Sequence, residues 1–174
     1  MAEESYLSRS FLITLVATFT FLVIFLAVVA DSTYRTATIQ EANQTLQQIQ
    51  TERETATAGK IFLNNLLVSL PLIIPAVGLF PFILVWINTG QTIGLLSLAT
   101  GIPPTQYVLS IVTLAFPEIL AYTVLMSENL LLTYKILTKT EATTRLKTQT
   151  LKSIIIYAIL LILGAITEAL MIAG

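Results

Sequence analysis

The sequence predicts an all-α fold, a polytopic transmembrane helical bundle of about five spans with an amphipathic extracytoplasmic helix after the first span. Of the 174 residues, 55% are hydrophobic and only 11% are charged, whereas a soluble domain carries roughly 25% charged residues. The mean hydropathy is +0.84. Long uncharged stretches alternate with short polar ones, so residues 1–174 are expected to form a single membrane domain in a lipid bilayer.

Residues 11–30 are the first predicted span, because this stretch contains no charged residue. Twenty residues at about 1.5 Å each cover roughly 30 Å, the hydrocarbon thickness of a bilayer. A secretory signal peptide is the alternative, with Val28-Val29-Ala30 as a small-residue cleavage site. The acidic leader Met-Ala-Glu-Glu and the length of the apolar stretch favour a retained anchor.

Residues 31–59 change to a polar composition rich in Thr, Gln and Glu. Ile39, Ala42, Leu46 and Ile49 recur at steps of three and four residues, which predicts one narrow apolar stripe on a polar helix. This extracytoplasmic helix either rests on the membrane or on its own bundle, or it binds a partner.

The apolar stretch between residues 61 and 99 is too long for one span and is predicted to form two, at about 61–75 and 79–99. Three prolines interrupt it and are predicted helix breaks: Pro71, Pro75 and Pro81. Proline removes a backbone donor, so the segment Pro-Ala-Val-Gly at 75–78 is predicted to be the turn between the two spans.

The last two spans are predicted at 105–126 and 153–173. A turn at 101–104, Gly-Ile-Pro-Pro, precedes the first of them, and Pro117 within it is a further predicted helix break. Residues 130–137 are a candidate interfacial extension of this fourth span.

Residues 128–152 are predicted to form a basic cytoplasmic loop. They hold five of the nine basic residues of the chain, Lys135, Lys139, Arg145, Lys147 and Lys152. Because basic loops stay in the cytoplasm, the N-terminus with Arg9 is expected there too, and the C-terminus is expected to be extracytoplasmic. The predicted localisation is the cell (plasma) membrane, as a multi-pass protein.

Five polar residues within the predicted spans form a candidate intramembrane polar network: Asn64, Asn65, Asn88, Glu118 and Glu168. Lipid offers these side chains no hydrogen bonds. No lysine or arginine lies in a predicted span, so both carboxyl groups are expected to be neutral and to donate to amide oxygens. The network either joins the helices or forms a site for a proton, an ion or a solute.

Gly90 and Gly94 form a G-x-x-x-G pair within an apolar stretch. This spacing predicts a close approach of two helix backbones, either within one subunit or between two.

The residue types exclude several classes of site. The chain has no cysteine and no histidine, which excludes disulfides, thiolate nucleophiles, Ser-His pairs and the usual zinc sites. Its net charge of −1 comes without a basic cluster interleaved with aromatics, so no nucleic-acid partner is expected. No cofactor and no metal are predicted. An enzyme that uses the two glutamates is the least favoured function, because no nucleophile or phosphate-binding loop accompanies them.

Four segments follow one another in a recognisable order: Ile61-Phe62-Leu63-Asn64-Asn65, Asn88-x-Gly90-x-x-x-Gly94, Glu118-Ile119-Leu120-Ala121-Tyr122 and Ile166-Thr167-Glu168-Ala169. This order and spacing resembles the stage II sporulation protein M family of integral membrane proteins, over residues 5–174. The resemblance implies several spans, a glutamate in the fourth hydrophobic segment and a second acid near the end of the last.

The chain departs from the family pattern at two places. The family commonly has Pro-His-Gly shortly before the first glutamate, where this chain reads Thr-Leu-Ala-Phe-Pro at 113–117. The Asn-Gly pair of the family is split here by Thr89. A histidine-dependent role is therefore excluded for this chain.

The resemblance implies a membrane component of an assembly, since the family member of spore-forming bacteria works with a cell-wall-degrading partner during engulfment. The sequence thus predicts a non-catalytic scaffold or component of a membrane assembly, with a membrane protein partner or a homo-oligomer. The alternative is a permease- or channel-like subunit in which Glu118 and the asparagines line a path for an ion or small solute, because broken helices often surround such paths.

Overall fold

Helices make up most of the part of the chain that the computed structural model describes, residues 8–173. They are α1 Arg9–Thr36, α2 Ile39–Glu54, α3 Ala58–Ser69, α4 Leu79–Thr100, α5 Pro104–Leu114, α6 Phe116–Leu137, α7 Ala142–Arg145 and α8 Leu151–Ala173. A 3₁₀ turn at Leu70–Ile73 follows α3, and a π-helical turn at Leu146–Thr150 joins α7 to α8. The described residues contain no strand, so the all-α prediction is confirmed. The leader Met-Ala-Glu-Glu lies outside the described residues.

Three helical stretches are long and apolar enough to cross a membrane: Arg9–Thr36, Leu79–Thr100 and Ala142–Ile172. The bent pair of α5 and α6 gives a fourth if it counts as one span, and the apolar helix Ala58–Ile73 is shorter than the others. The described residues therefore hold three or four candidate spans where the sequence predicted about five. Large apolar side chains such as Val16, Phe80 and Ile159 are exposed on these helices, as expected of a surface in contact with lipid.

Helices α1 and α4 run parallel and pack through the predicted glycine pair. A Cβ atom on Gly90 would lie 2.7 Å from the side chain of Val29, and one on Gly94 would lie 2.5 Å from the carbonyl oxygen of Ala30. Gly90 meets Leu26 and Val29, and Gly94, one turn later, meets Ala30 and Thr33, also one turn later. The two helices are therefore parallel. The close approach is thus made within one chain, one of the two alternatives that the G-x-x-x-G spacing left open.

The predicted fourth span at 105–126 is broken at Ala115, and its two parts, α5 and α6, are bent by 83°. Pro117 stands in the first turn of α6. The missing N–H of proline costs α6 nothing there, because the first N–H groups of a helix have no partner within it. The same proline could not donate the hydrogen bond that would continue α5. The predicted helix break at Pro117 is therefore present, and the predicted span at 105–126 corresponds to a bent pair of helices rather than to one helix. The candidate extension at 130–137 is simply the continuation of α6.

A proline-rich turn joins α3 to α4. Pro71 lies in the 3₁₀ turn, and Pro75 precedes Ala76, which adopts a left-handed conformation with φ of 64°. Asn129 of α6 fixes this turn, because its Nδ2 donates to the carbonyl oxygens of Leu72 at 2.7 Å and Ile74 at 2.8 Å.

Pro81 was predicted to break a helix, and that prediction was wrong. It is the third residue of α4, which begins at Leu79. The first backbone N–H groups of a helix have no partner within the helix, so proline is tolerated in the first turn.

Helix α2 folds back from α1 and packs on α4. Thr38 and Glu41 form a capping box at its start, which satisfies two backbone donors. Of the predicted apolar stripe, Ala42 is buried, Leu46 and Ile49 are half-buried, and Ile39 is exposed. Residues 31–36, which were predicted to begin the polar segment, belong to α1. Arg35 and Asp31 form an exposed ion pair in this last part of α1.

The predicted basic loop at 128–152 is mostly helical. Helix α6 continues to Leu137, and α7 begins at Ala142. Glu128 is 1% exposed and Arg145 is 5% exposed, so neither belongs to a solvated loop. Most of this stretch is thus helix rather than loop, and of its five basic residues Arg145 is paired with Glu128 inside the bundle.

Candidate functional site

All five residues of the predicted polar network line one cavity of about 420 Å³. The asparagines come from α3 and α4, Glu118 from the first turn of α6, and Glu168 from the last part of α8. The full lining, named here the polar cavity, is Asn64, Asn65, Val68, Val85, Trp86, Asn88, Thr89, Ile111, Ala115, Glu118, Ile119, Tyr122 and Glu168. Helices that are distant in sequence therefore bring the predicted polar residues together.

The break between α5 and α6 places Glu118 in this cavity. Ile111 of α5, Ala115 at the break and Glu118 of α6 all contribute to the lining. Gly164 of α8 lies against Glu118, where an added Cβ atom would come within 3.1 Å of the Glu118 Cβ. Glu168 follows Gly164 by four residues, which places it on the same face of α8. The glycine thus lets α8 approach α6 and brings both carboxyl groups to one space.

Hydroxyl groups hold the backbone of Asn65 in the wall of the polar cavity. Ser69 Oγ donates to the Asn65 carbonyl oxygen at 2.6 Å, and Tyr122 Oη donates to the same oxygen at 3.3 Å. Ser69 also hydrogen-bonds to the Tyr157 hydroxyl group. The Asn65 and Glu118 side chains line the same cavity. The backbone of Asn65 is therefore fixed beside the acid.

The sequence prediction did not include Ser69, Tyr122 or Tyr157. Tyr122 lies four residues after Glu118 in α6, and this spacing puts both on one helix face, so the signal was present. No pattern in the sequence pairs Ser69 with Tyr157, because the two residues come from α3 and α8.

Two aromatic rings form the apolar wall of the polar cavity. Trp86 and Tyr122 pack edge to face with ring centroids 5.6 Å apart, a favourable geometry for aromatic pairs. Trp86 is 5% exposed, and its Nε1–H has no acceptor among the described residues. Buried donors are nearly always paired in proteins, so this wall contains an unused donor.

A second cavity of about 310 Å³, named here the vestibule, adjoins the polar cavity. The two share Asn64, Asn65 and Glu168 as lining residues. The vestibule adds Arg53 from the last turn of α2 and Lys60 from α3. Arg53 and Lys60 share the vestibule with Glu52 and Glu168. Two cations therefore lie beside the acidic cavity at the end of α2, within a vestibule of mixed charge.

A buried ion pair lies further along α6, about three turns after Glu118. Arg145 donates to both carboxylate oxygens of Glu128, at 2.9 Å and 2.6 Å, and Thr150 Oγ1 donates to the same group at 2.8 Å. The carboxylate is thus satisfied from several directions, which a buried charge requires. Sequence reasoning missed this pair because both residues lie outside the apolar stretches.

The polar cavity offers carboxyl groups, amides and a hydroxyl group to a ligand, whereas the Glu128–Arg145 pair is closed by its own contacts. Within residues 8–173, no group of three or more His, Cys, Asp or Glu side chains gathers at one place to hold a metal ion. The arrangement is suited to binding a polar or charged molecule through hydrogen bonds and charge.

Comparison with known proteins gives one finding. No curated protein and no solved structure matches the chain. The family model described as Stage II sporulation protein M matches residues 12–171, a range that contains every residue lining the polar cavity and the Glu128–Arg145 pair. The chain therefore belongs to the stage II sporulation protein M family.

Proposed function

We propose that this chain is a non-catalytic component of a larger membrane assembly, and that α2 provides its partner-facing surface. The observation that supports this most directly is that α2 is capped at its start and packs on α4, while most of its side chains are exposed. Ala42 is its buried residue, whereas Asn43, Gln47 and Thr51 are exposed at four-residue spacing. A capped polar helix that contributes little to the core has a surface free for another protein.

Family membership supports the same proposal, since the family resemblance implies a membrane component that acts with a partner. The bundle crosses the plasma membrane several times in this proposal. Its basic end, with Lys139, Lys147 and Lys152 exposed, faces the cytoplasm. Helix α2 then lies on the extracytoplasmic side, because it packs beside the opposite end of α4.

Site-specific photo-crosslinking in the native membrane tests the proposal. A photoreactive amino acid at Gln47 is expected to give one discrete protein adduct, identified by mass spectrometry. The matched control places the same group at Thr148, which is exposed at the basic end. A product with a second copy of the chain means a homo-oligomer. The absence of any protein adduct at Gln47, in a protein that folds normally, contradicts the proposal.

Passage of an ion or small solute is a second candidate function, favoured by the polar cavity itself. A polar network that only held the helices together would not need a cavity of about 420 Å³ beside the break between α5 and α6. Broken helices border the binding sites of many transporters.

Flux measurements on the purified protein in liposomes test this candidate. Proton or alkali-cation flux is expected with the native chain and is expected to be lost in Glu118→Gln, which keeps the shape and one hydrogen-bond donor. Glu128→Gln is no suitable control because that carboxylate is paired. Exposed Glu54→Gln on α2 is suitable and should retain full flux. Equal flux in Glu118→Gln and the native protein removes this candidate.

A further inference from the structure

The polar cavity and the vestibule share one wall and together hold charges of both signs. Glu118 and Glu168 line the first, and the second is lined by the cations Arg53 and Lys60 beside Glu52 and the shared Glu168. We propose that the two cavities together bind a small zwitterion, with its ammonium group between the glutamates and its anionic group at Arg53 and Lys60. Binding of this ligand requires neither the assembly nor passage across the membrane, so it goes beyond both functions proposed above.

The polar cavity has the chemistry that an ammonium group needs. Ammonium donates three hydrogen bonds, and carboxylates and amide oxygens accept them. Glu118 and Glu168 line one cavity together with Asn65, and the helix that carries Glu168 approaches Glu118 through Gly164. A cation placed between the two carboxylates is attracted to both. Trp86 and Tyr122 add aromatic faces, which attract cations.

The vestibule has the chemistry that an anionic group needs. Arg53 is exposed, and neither Arg53 nor Lys60 belongs to an ion pair within 4.0 Å among the described residues. Lys60 Nζ donates one hydrogen bond, to the Thr55 carbonyl oxygen at 2.9 Å, and it has two further donors. Both cations are therefore available for a carboxylate or phosphate oxygen.

Size favours an organic ligand over a bare ion. Volumes of about 420 Å³ and 310 Å³ fall in the range of roughly 300–1,000 Å³ that small-molecule sites occupy. Amino acids and short peptides match this set of groups. A lipid headgroup with an ammonium and a phosphate shares the same charges.

Calorimetric titration of the purified full chain in detergent tests the proposal with three related probes. Dialanine carries both charges, N-acetyl-dialanine lacks the ammonium group, and dialanine amide lacks the carboxylate. Dialanine is expected to bind, with acetylation weakening affinity at least tenfold and amidation weakening it less. Incorporation of the protein in nanodiscs with and without phosphatidylethanolamine separates a lipid headgroup from a soluble ligand as the source of the zwitterion.

Three variants connect the binding to the two cavities. Glu168→Gln and Arg53→Gln are each expected to weaken binding of the zwitterion severalfold or more, whereas Lys152→Gln at the basic end is expected to leave it unchanged. The unfolding midpoint of each variant shows that it is folded. Equal affinity for dialanine and N-acetyl-dialanine overturns the proposal. Failure of both dialanine and phosphatidylethanolamine to bind the folded native chain overturns it as well.

Discussion

Arg145 and Glu128 form a two-point ion pair inside the bundle, with Nη2 to Oε2 at 2.6 Å and Nε to Oε1 at 2.9 Å. The two residues are 17 positions apart in the chain, and their contact ties α6 to the segment that leads into α8. Glu118 lies ten residues before Glu128 in α6, or about 15 Å along the helix. One helix thus carries an open polar cavity at its first turn and a closed charge site just past its middle.

Removing the cation of this pair should strongly destabilise the fold. Arg145→Met leaves the Glu128 carboxylate buried without its partner, which typically costs about 3–5 kcal/mol. Denaturant unfolding in detergent measures the loss. Lys147→Met, which changes an exposed neighbour, is the control and should have little effect. The double variant Arg145→Met with Glu128→Leu should recover much of the stability, and a double variant as unstable as Arg145→Met contradicts this account of the pair.

Substitutions of the two packing glycines should differ in cost. Gly94→Ala brings a Cβ atom against the backbone carbonyl of Ala30, whereas Gly90→Ala meets the side chain of Val29. Gly94→Ala should therefore cost about 1–3 kcal/mol, a typical overpacking penalty, and Gly90→Ala should cost less. Unfolding midpoints measure both.

Two controls accompany the glycine series. Gly59→Ala, with no atom within 4 Å of the added Cβ, should not destabilise the protein. Val29→Ala removes the Cγ1 atom but keeps the Cβ atom that an added Cβ on Gly90 would also meet, so it should rescue Gly90→Ala only in part and leave Gly94→Ala unchanged. A rescue of Gly94→Ala by Val29→Ala would show that the packing described here is incorrect.

Asn129→Asp should loosen the turn between α3 and α4. The amide of Asn129 donates to the carbonyl oxygens of Leu72 and Ile74, and a carboxylate of the same shape cannot donate. Leaving buried acceptors unpaired costs about 1–3 kcal/mol. Hydrogen exchange and thermal unfolding measure the effect. Asn43→Asp on the exposed face of α2 is the matched control, and an equal effect of both changes contradicts the role of Asn129.

The capping box of α2 should weaken in acid. The Thr38 backbone N–H, and after it the Thr38 hydroxyl group, hold the pKa of Glu41 below its ordinary value of 4.5. A lowered folded-state pKa means that the contribution to stability is complete above about pH 4.5 and is lost as the pH falls through the folded pKa. The NMR shift of the Thr38 amide between pH 7 and 2.5 reports this titration.

Glu41→Gln is the control for the capping box, because glutamine keeps an acceptor but does not titrate in this range. The acid shift of the Thr38 amide should disappear in that variant. A Thr38 amide that titrates at or above pH 4.5 in the native chain is inconsistent with the capping box.

The five polar residues that the sequence singled out line one cavity, whereas several helix ends differ from the predicted ones. Glu118 and Glu168 stand out because a carboxyl group in an apolar stretch is costly, and the asparagines share that signal. Their meeting in one cavity was beyond prediction, because hydropathy does not encode the order of helices around a bundle. Membership of the family was predicted from the order of four segments, and the match over residues 12–171 confirms it.

The remaining differences have local causes. Pro117 and Pro81 both stand in the first turn of a helix, and in each case the chain turns just before that helix begins, at Ala115 and at residues 75–78. A hydropathy pattern gives the start of such a helix only to within a few residues. Arg145 and Glu128 were assigned to a loop because charged residues are exposed more often than not.

Solvent access to the polar cavity is the most direct test of the account. The chain has no cysteine, so a single substitution reports one site. Three single-cysteine variants are compared. Ala115→Cys places the thiol in the lining of the polar cavity. Ala165→Cys places it in the core, where Ala165 is 2% exposed, and Ile159→Cys places it on the apolar surface. Reaction with a charged, membrane-impermeant thiol reagent should be fast for Ala115→Cys from the α2 side, and slow for the other two. A cysteine at position 115 that reacts no faster than the one at position 165 would contradict the existence of an open polar cavity.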